Sequence, residues 1–130
     1  MRTYKSVWWS IKVSADWFDE EEPESVAFWR EYGVGALQIS AYKNDDRAMQ
    51  DDDLYEFSNG DYPEGLLPQF VRCGEFVGIG LEYSADNNFW LIRWLRNESL
   101  LLYVTYNSDP RDFTLEIDDV NRMLDTLRPE

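Results

Sequence analysis

The chain has 130 residues, 44% hydrophobic and 16% aromatic, with 26 Asp and Glu against 12 Lys and Arg for a formal charge of -14. That length and that supply of apolar side chains describe a single domain, residues 1–130, with a real core, and exclude a disordered chain. The charge repels phosphate backbones and anionic lipid surfaces, so neither nucleic acid nor a membrane is an expected partner.

Cys73 is the one cysteine and there is no histidine. A disulfide framework, a thiolate cluster and every Ser-His-Asp or Cys-His arrangement are therefore excluded within the chain. Met1-Arg2-Thr3-Tyr4-Lys5 opens the sequence on a basic note, but no aliphatic run of signal-peptide length follows. Nowhere do the roughly 20 consecutive apolar residues needed to cross a bilayer occur. The expected compartment is the cytoplasm.

In chain order, the first strand is predicted over 7–13, with Trp9, Ile11 and Val13 on one face and Ser10 and Lys12 on the other beside Trp8. Residues 16–24 read as an acidic loop, since Asp19-Glu20-Glu21-Glu22 repels itself and resists burial while Trp17 and Phe18 can anchor it. Val26, Phe28 and Trp29 mark a short strand. In Gly35 to Tyr42, Leu37, Ile39 and Ala41 alternate with Gln38 and Ser40, the period of a strand with one dry face. A helix is predicted over 51–58, where Asp53 and Glu56 have capping-box spacing and Leu54 and Phe57 give an apolar edge. Gly60 ends it, and Pro63, Gly65 and Pro68 make a loop.

The second half is rich in strands. Residues 70–72 and 75–83 flank a turn at Cys73-Gly74, and in the latter Val77, Ile79, Leu81 and Tyr83 alternate with Gly78, Gly80 and Glu82. Two glycines on one face leave room for close approach to the backbone, which makes Gly78 and Gly80 the candidate pocket floor. After the turn Asp86-Asn87-Asn88, the segment 89–96 is apolar on both faces, so it should lie centrally beneath a helix. Leu100 to Tyr106 has the composition of another inner strand. Ile117, Val120, Leu124 and Leu127 recur at helical spacing, predicting a helix over 115–127 with Glu116, Asp118 and Asp119 at its start and Arg128 near its end. Few helices and grouped hairpins predict an α+β fold; a closed barrel is the competing architecture.

The segments Gly35-Ala36-Leu37-Gln38-Ile39-Ser40-Ala41-Tyr42 and Leu102-Tyr103-Val104-Thr105-Tyr106-Asn107, with the aromatic 89–96 strand and the final helix, resemble a family of small, uncharacterised bacterial proteins. The element order is similar to the PsbP-like fold, found in extrinsic photosystem II proteins and in a nuclear-transport factor that binds a small GTPase. The resemblance implies a curved antiparallel sheet of about six or seven strands, a short middle helix and a C-terminal helix. It implies no reaction, and no binding residue of either functional relative maps onto this chain.

Chemistry is sparse in the sequence. Asp51-Asp52-Asp53, Asp45-Asp46 and Asp118-Asp119 lack the alternating acids and central glycine of a calcium loop, so no metal and no cofactor is expected. Paired carboxylates for glycoside hydrolysis must face one another at roughly 5 to 9 Å, and with this many acids sequence alone picks out no pair. No catalytic residue is assigned. Arg93 and Arg96 beside Trp90 and Trp94 are too few to make a positive groove. The expectation is a non-enzymatic protein-interaction module, in one form an acidic immunity or inhibitor protein that covers a basic partner. Its candidate contact residues are Trp17, Phe18, Asp19, Glu20, Glu21 and Glu22. The alternative is a small-ligand-binding domain with a pocket between the sheet and the loop after Tyr62.

Overall fold

The computed structural model describes residues 1–130. Five strands come first: β1 (Arg2–Lys5), β2 (Trp9–Val13), β3 (Trp17–Glu21), β4 (Val26–Arg30) and β5 (Gly35–Lys43). Helix α1 (Asp51–Ser58) precedes β6 (Gln69–Cys73), β7 (Phe76–Ala85), β8 (Asn88–Asn97) and β9 (Leu100–Ser108). A 3-10 turn at Phe113–Leu115 leads into α2 (Ile117–Leu124), and β10 (Arg128–Pro129) closes the chain. The fold is α+β and mostly antiparallel sheet. Seven strands form one open sheet in the order β3-β4-β5-β9-β8-β7-β6, and three form a second in the order β1-β2-β10. The large sheet has two free edges, β3 and β6, so it is not a barrel.

Turn chemistry sets the register of the longest hairpin. Asp86 and Asn87 both adopt positive φ, 53° and 63°, which is the geometry that matches the right-handed twist of two strands joined by two residues. Ala85 then pairs with Asn88, and the pairing runs back to Val77 with Arg96. Gly74 does two things at the β6–β7 turn. It takes φ +62°, and a Cβ there would collide with the Leu127 backbone, whose carbonyl accepts the Glu75 N–H at 2.8 Å.

Both faces of the large sheet carry an apolar cluster. On the inner face Phe28, Leu37, Ile39, Val104, Tyr106, Leu91 and Leu95 pack with Trp9, Ile11 and Val13 of β2 and with Val120, Met123 and Leu124 of α2. On the outer face Ile79, Leu81, Ile92, Trp94 and Leu101 pack with Met49 and Leu54 from around α1. Strand β8 contributes to both clusters, as its two apolar faces predict, and lies beneath α1.

The structure corrects five expectations. Residues 17–21 form the edge strand β3 rather than an acidic loop: at the sheet's free edge Phe18 to Glu21 stay exposed on both faces while Trp17 enters the core. The first predicted strand begins at Trp9, and β1 and β10 flank it because the short basic N-terminus pairs with it from Arg2↔Val13 to Lys5↔Ser10. The first helix is capped at Gln50, whose backbone N–H donates to Asp53 Oδ2 at 2.8 Å; Asp53 is the third helical residue, not the cap. Phe57 is largely exposed rather than part of a buried edge. The last helix is shorter than its apolar spacing suggests, so Leu127 is buried from an extended segment and Arg128 lies in β10. No helix is long and apolar enough to cross a membrane.

Candidate functional site

Strand β4 pairs with β5 only from Val26↔Ile39 to Phe28↔Leu37, whereas β5 runs on to Lys43 beside β9. Where β4 stops short, the β3–β4 turn and the β1–β2 loop stand apart and leave an open cleft of about 1100 Å³. One wall carries Glu21, Glu22, Pro23 and Glu24. The opposite wall carries Lys5, Ser6, Val7 and Trp8. The floor is β5 from Gln38 to Ala41, with Tyr103 and Thr105 of β9. Val7 is 81% exposed and Trp8 37% exposed, so apolar surface stands at the rim opposite the acids. Lys43 Nζ lies 5.9 Å from the Trp8 ring centroid.

The acidic wall is held in place by its own partners. Tyr4 donates its hydroxyl to Glu21 Oε1 at 2.9 Å, and Gln38 Nε2 donates to Glu22 Oε1 at 3.4 Å. Burial, followed by the hydrogen bond to Glu21, raises the Tyr4 hydroxyl to about 12. Asp19 forms an ion pair with Arg2 at 2.6 Å. These bonds order the wall without neutralising it: Glu22 and Glu24 make no ion pair with any Lys or Arg.

The residues singled out from the sequence separate in space. Glu21 and Glu22 line the cleft. Glu20 projects from β3 on the outer face, exposed. Trp17 is in the core, with its indole N–H 3.5 Å from Asp119 Oδ2. Phe18 is 46% exposed and leans on Trp29 of β4, ring centroids 5.0 Å apart, on the uncovered end of the outer face. Gly78 and Gly80 line neither this cleft nor the smaller one beneath α1. A Cβ on Gly78 would collide with the Trp94 carbonyl, and one on Gly80 would lie 2.5 Å from Arg93 Cδ. The room these glycines leave is filled by β8, so the close approach read from the sequence is that of the neighbouring strand. Sequence reasoning missed Lys5, Val7, Trp8 and Glu24, since only the folded chain brings the β1–β2 loop opposite the β3–β4 turn.

The smaller cleft, about 190 Å³, lies between the sheet and the end of α1, lined among others by Tyr42, Phe57, Asp61, Trp94, Leu101 and Tyr103. It shares Ser40, Ala41 and Tyr103 with the acidic cleft. Cys73 is buried at the end of the edge strand β6 and lines neither cleft, and burial pushes its thiol up despite the nearby Arg93 guanidinium, the opposite of what a nucleophile requires.

No protein-family model matches the chain. No curated protein matches it either. Among solved structures, it is similar to a crystal structure from Bacteroides thetaiotaomicron VPI-5482, with a TM-score of 0.71 at 15% identity over 95% of this chain. The match covers 45% of that longer chain. At such identity the likeness is one of fold, and it places this chain's architecture in a protein of bacterial origin.

Proposed function

We propose that this is a non-enzymatic protein-interaction module that receives a basic partner in the acidic cleft. The observation that carries the reading is the pairing of Glu21, Glu22 and Glu24 on one wall with exposed Val7 and Trp8 on the other. An apolar anchor beside unneutralised charge is the composition of a recognition surface: the aromatic supplies contact area, and the carboxylates steer encounter and reject like-charged partners. A volume of about 1100 Å³, open to solvent, suits a protruding segment of a macromolecule better than an enclosed small molecule. An immunity or inhibitor protein that covers a basic toxin or nuclease is the specific form of this proposal, acting in the cytoplasm. The PsbP-like architecture belongs to the same proposal, and the seven-stranded antiparallel sheet with helices on it supports it.

Partner capture followed by association kinetics tests the reading. The triple variant E21Q/E22Q/E24Q should keep its fold and associate more slowly with the captured protein, most of all at low salt, where the wild-type attraction is least screened. Equal rates for variant and wild type across an ionic-strength series would sink it.

A further inference from the structure

The smaller cleft has a chemistry of its own. Tyr42 and Phe57 make its rim, with ring centroids 5.6 Å apart and each about half exposed. Tyr103 forms the floor, backed by the buried Trp94 at 6.0 Å, which Tyr62 holds in turn by an edge contact at 5.9 Å. Three accessible aromatic rings thus line one small space, over a buried fourth. The one charged residue on the lining is Asp61, and it makes no ion pair. Its charge nonetheless reaches the sheet: after burial, it is the next cause raising both the Tyr103 and Tyr83 hydroxyls. Helix α1 ends at this cleft, and its last turn carries no basic residue to offset the negative end of the helix dipole.

The charge on the lining and the end of the helix dipole both favour a cation, and so do the π faces of the rings. The donor set says which kind. One carboxylate is too few oxygens for calcium or magnesium, and no cluster of three acidic or cysteine ligands forms here or elsewhere in the chain. A bare ammonium would lose its water for few acceptors, whereas methyl groups on nitrogen spread the charge and meet the rings directly. We propose that the cleft between α1 and the sheet binds a quaternary ammonium group, held by Tyr42, Phe57 and Tyr103 and countered by Asp61. The group is carried either by a small molecule or by a trimethylated lysine side chain. This goes beyond the acidic-cleft reading and does not rest on it.

Calorimetric titration of the intact protein at physiological salt tests the assignment. Choline should bind saturably, and its uncharged carbon isostere 3,3-dimethylbutan-1-ol should bind at least about tenfold more weakly, since the two differ in charge and not in shape. Phe57→Ala and Asp61→Asn, both at exposed positions, should each weaken choline binding by about two- to thirtyfold with unchanged near-UV circular dichroism. A peptide with one trimethyl-lysine, titrated beside its unmodified form, separates the sources. Tighter binding than choline, lost without the methyl groups, assigns the site to a modified protein; weaker binding assigns it to a free quaternary ammonium compound. Equal affinity for choline and its isostere overturns the proposal, as does the absence of saturation with both choline and the modified peptide. The E21Q/E22Q/E24Q variant should bind choline as the wild type does, so failure of the acidic-cleft reading leaves this result distinct.

Discussion

Arg30 Nε donates a 2.6 Å hydrogen bond to Glu116 Oε2, joining the end of β4 to the start of α2 across 86 residues of sequence. Glu116 is wholly buried, yet no part of its carboxylate is wasted: Tyr106 donates to Oε1 at 2.8 Å and the Val34 backbone N–H to Oε2 at 3.2 Å. The carboxylate is therefore the point at which β4, the turn before β5, β9 and α2 meet. It also explains a glycine. A Cβ at Gly33 would lie 2.6 Å from Glu116 Oε2, inside contact distance.

Breaking this pair should be among the most damaging single changes in the molecule. Arg30→Ala leaves a buried carboxylate uncompensated and should cost about 3–5 kcal/mol. Glu116→Gln should cost about 1–3 kcal/mol, because the amide offers one accepting end where the structure presents donors to both. Urea denaturation measures each. A loss under about 1 kcal/mol for Arg30→Ala would show that the carboxylate does not depend on its partner.

Leu124 faces the inner side of the large sheet from α2 and is 1% exposed. Leu124→Ala should cost about 2–4 kcal/mol, the lost transfer energy plus that of the cavity left behind. Denaturation showing a loss below about 0.5 kcal/mol would remove Leu124 from the core.

Cys73 should be inert in the native state. Its burial and raised thiol pKa predict that a thiol reagent labels it only on unfolding, so the labelling rate should rise with urea through the unfolding transition. Cys73→Ser should likewise leave partner binding unchanged. Rapid stoichiometric labelling at neutral pH without denaturant would contradict both expectations.

Burial of Tyr4, followed by its hydrogen bond to Glu21, predicts an alkaline signature. The folded Tyr4 hydroxyl sits at about 12 against an ordinary 10.0, so the folded chain holds this proton more tightly than the unfolded one. Its contribution is present in full below pH 10 and is lost as pH rises from 10 to 12. Tyr4→Phe should be less stable than wild type at neutral pH and lose stability less steeply between pH 10 and 12. Parallel urea series across that range would show the difference as converging midpoints; parallel curves would show that the Tyr4 hydroxyl is not raised in the folded chain.

Much of the fold was legible because its signals are local. The two-residue alternation of 35–42, the doubly apolar 89–96 segment, the Asp86-Asn87 turn and the 51–58 helix each depend on residues within one element, where periodicity and turn geometry act. The edge strand β3 was not legible, because four consecutive carboxylates look the same in a loop and on a solvent-facing edge, and only pairing with β4 tells them apart. The strands β1 and β10 are too short to carry a period at all.

The candidate sites divide along the same line. The sequence alone determined the acidity of the 19–22 segment, the lack of histidine, the single Cys73 and the presence of two glycines on one face at Gly78 and Gly80. Tertiary structure decided what those features face. It filled the glycine face with β8, gave Asp19 to Arg2, set Glu21 and Glu22 across from Val7 and Trp8, and gathered Tyr42, Phe57, Asp61, Trp94 and Tyr103 from four separate stretches of chain. A periodic pattern reports which side of an element is dry, whereas a cleft arises from which elements lie side by side and where one of them stops short, as β4 does beside β5. That depends on long-range pairing, which no local stretch of sequence encodes.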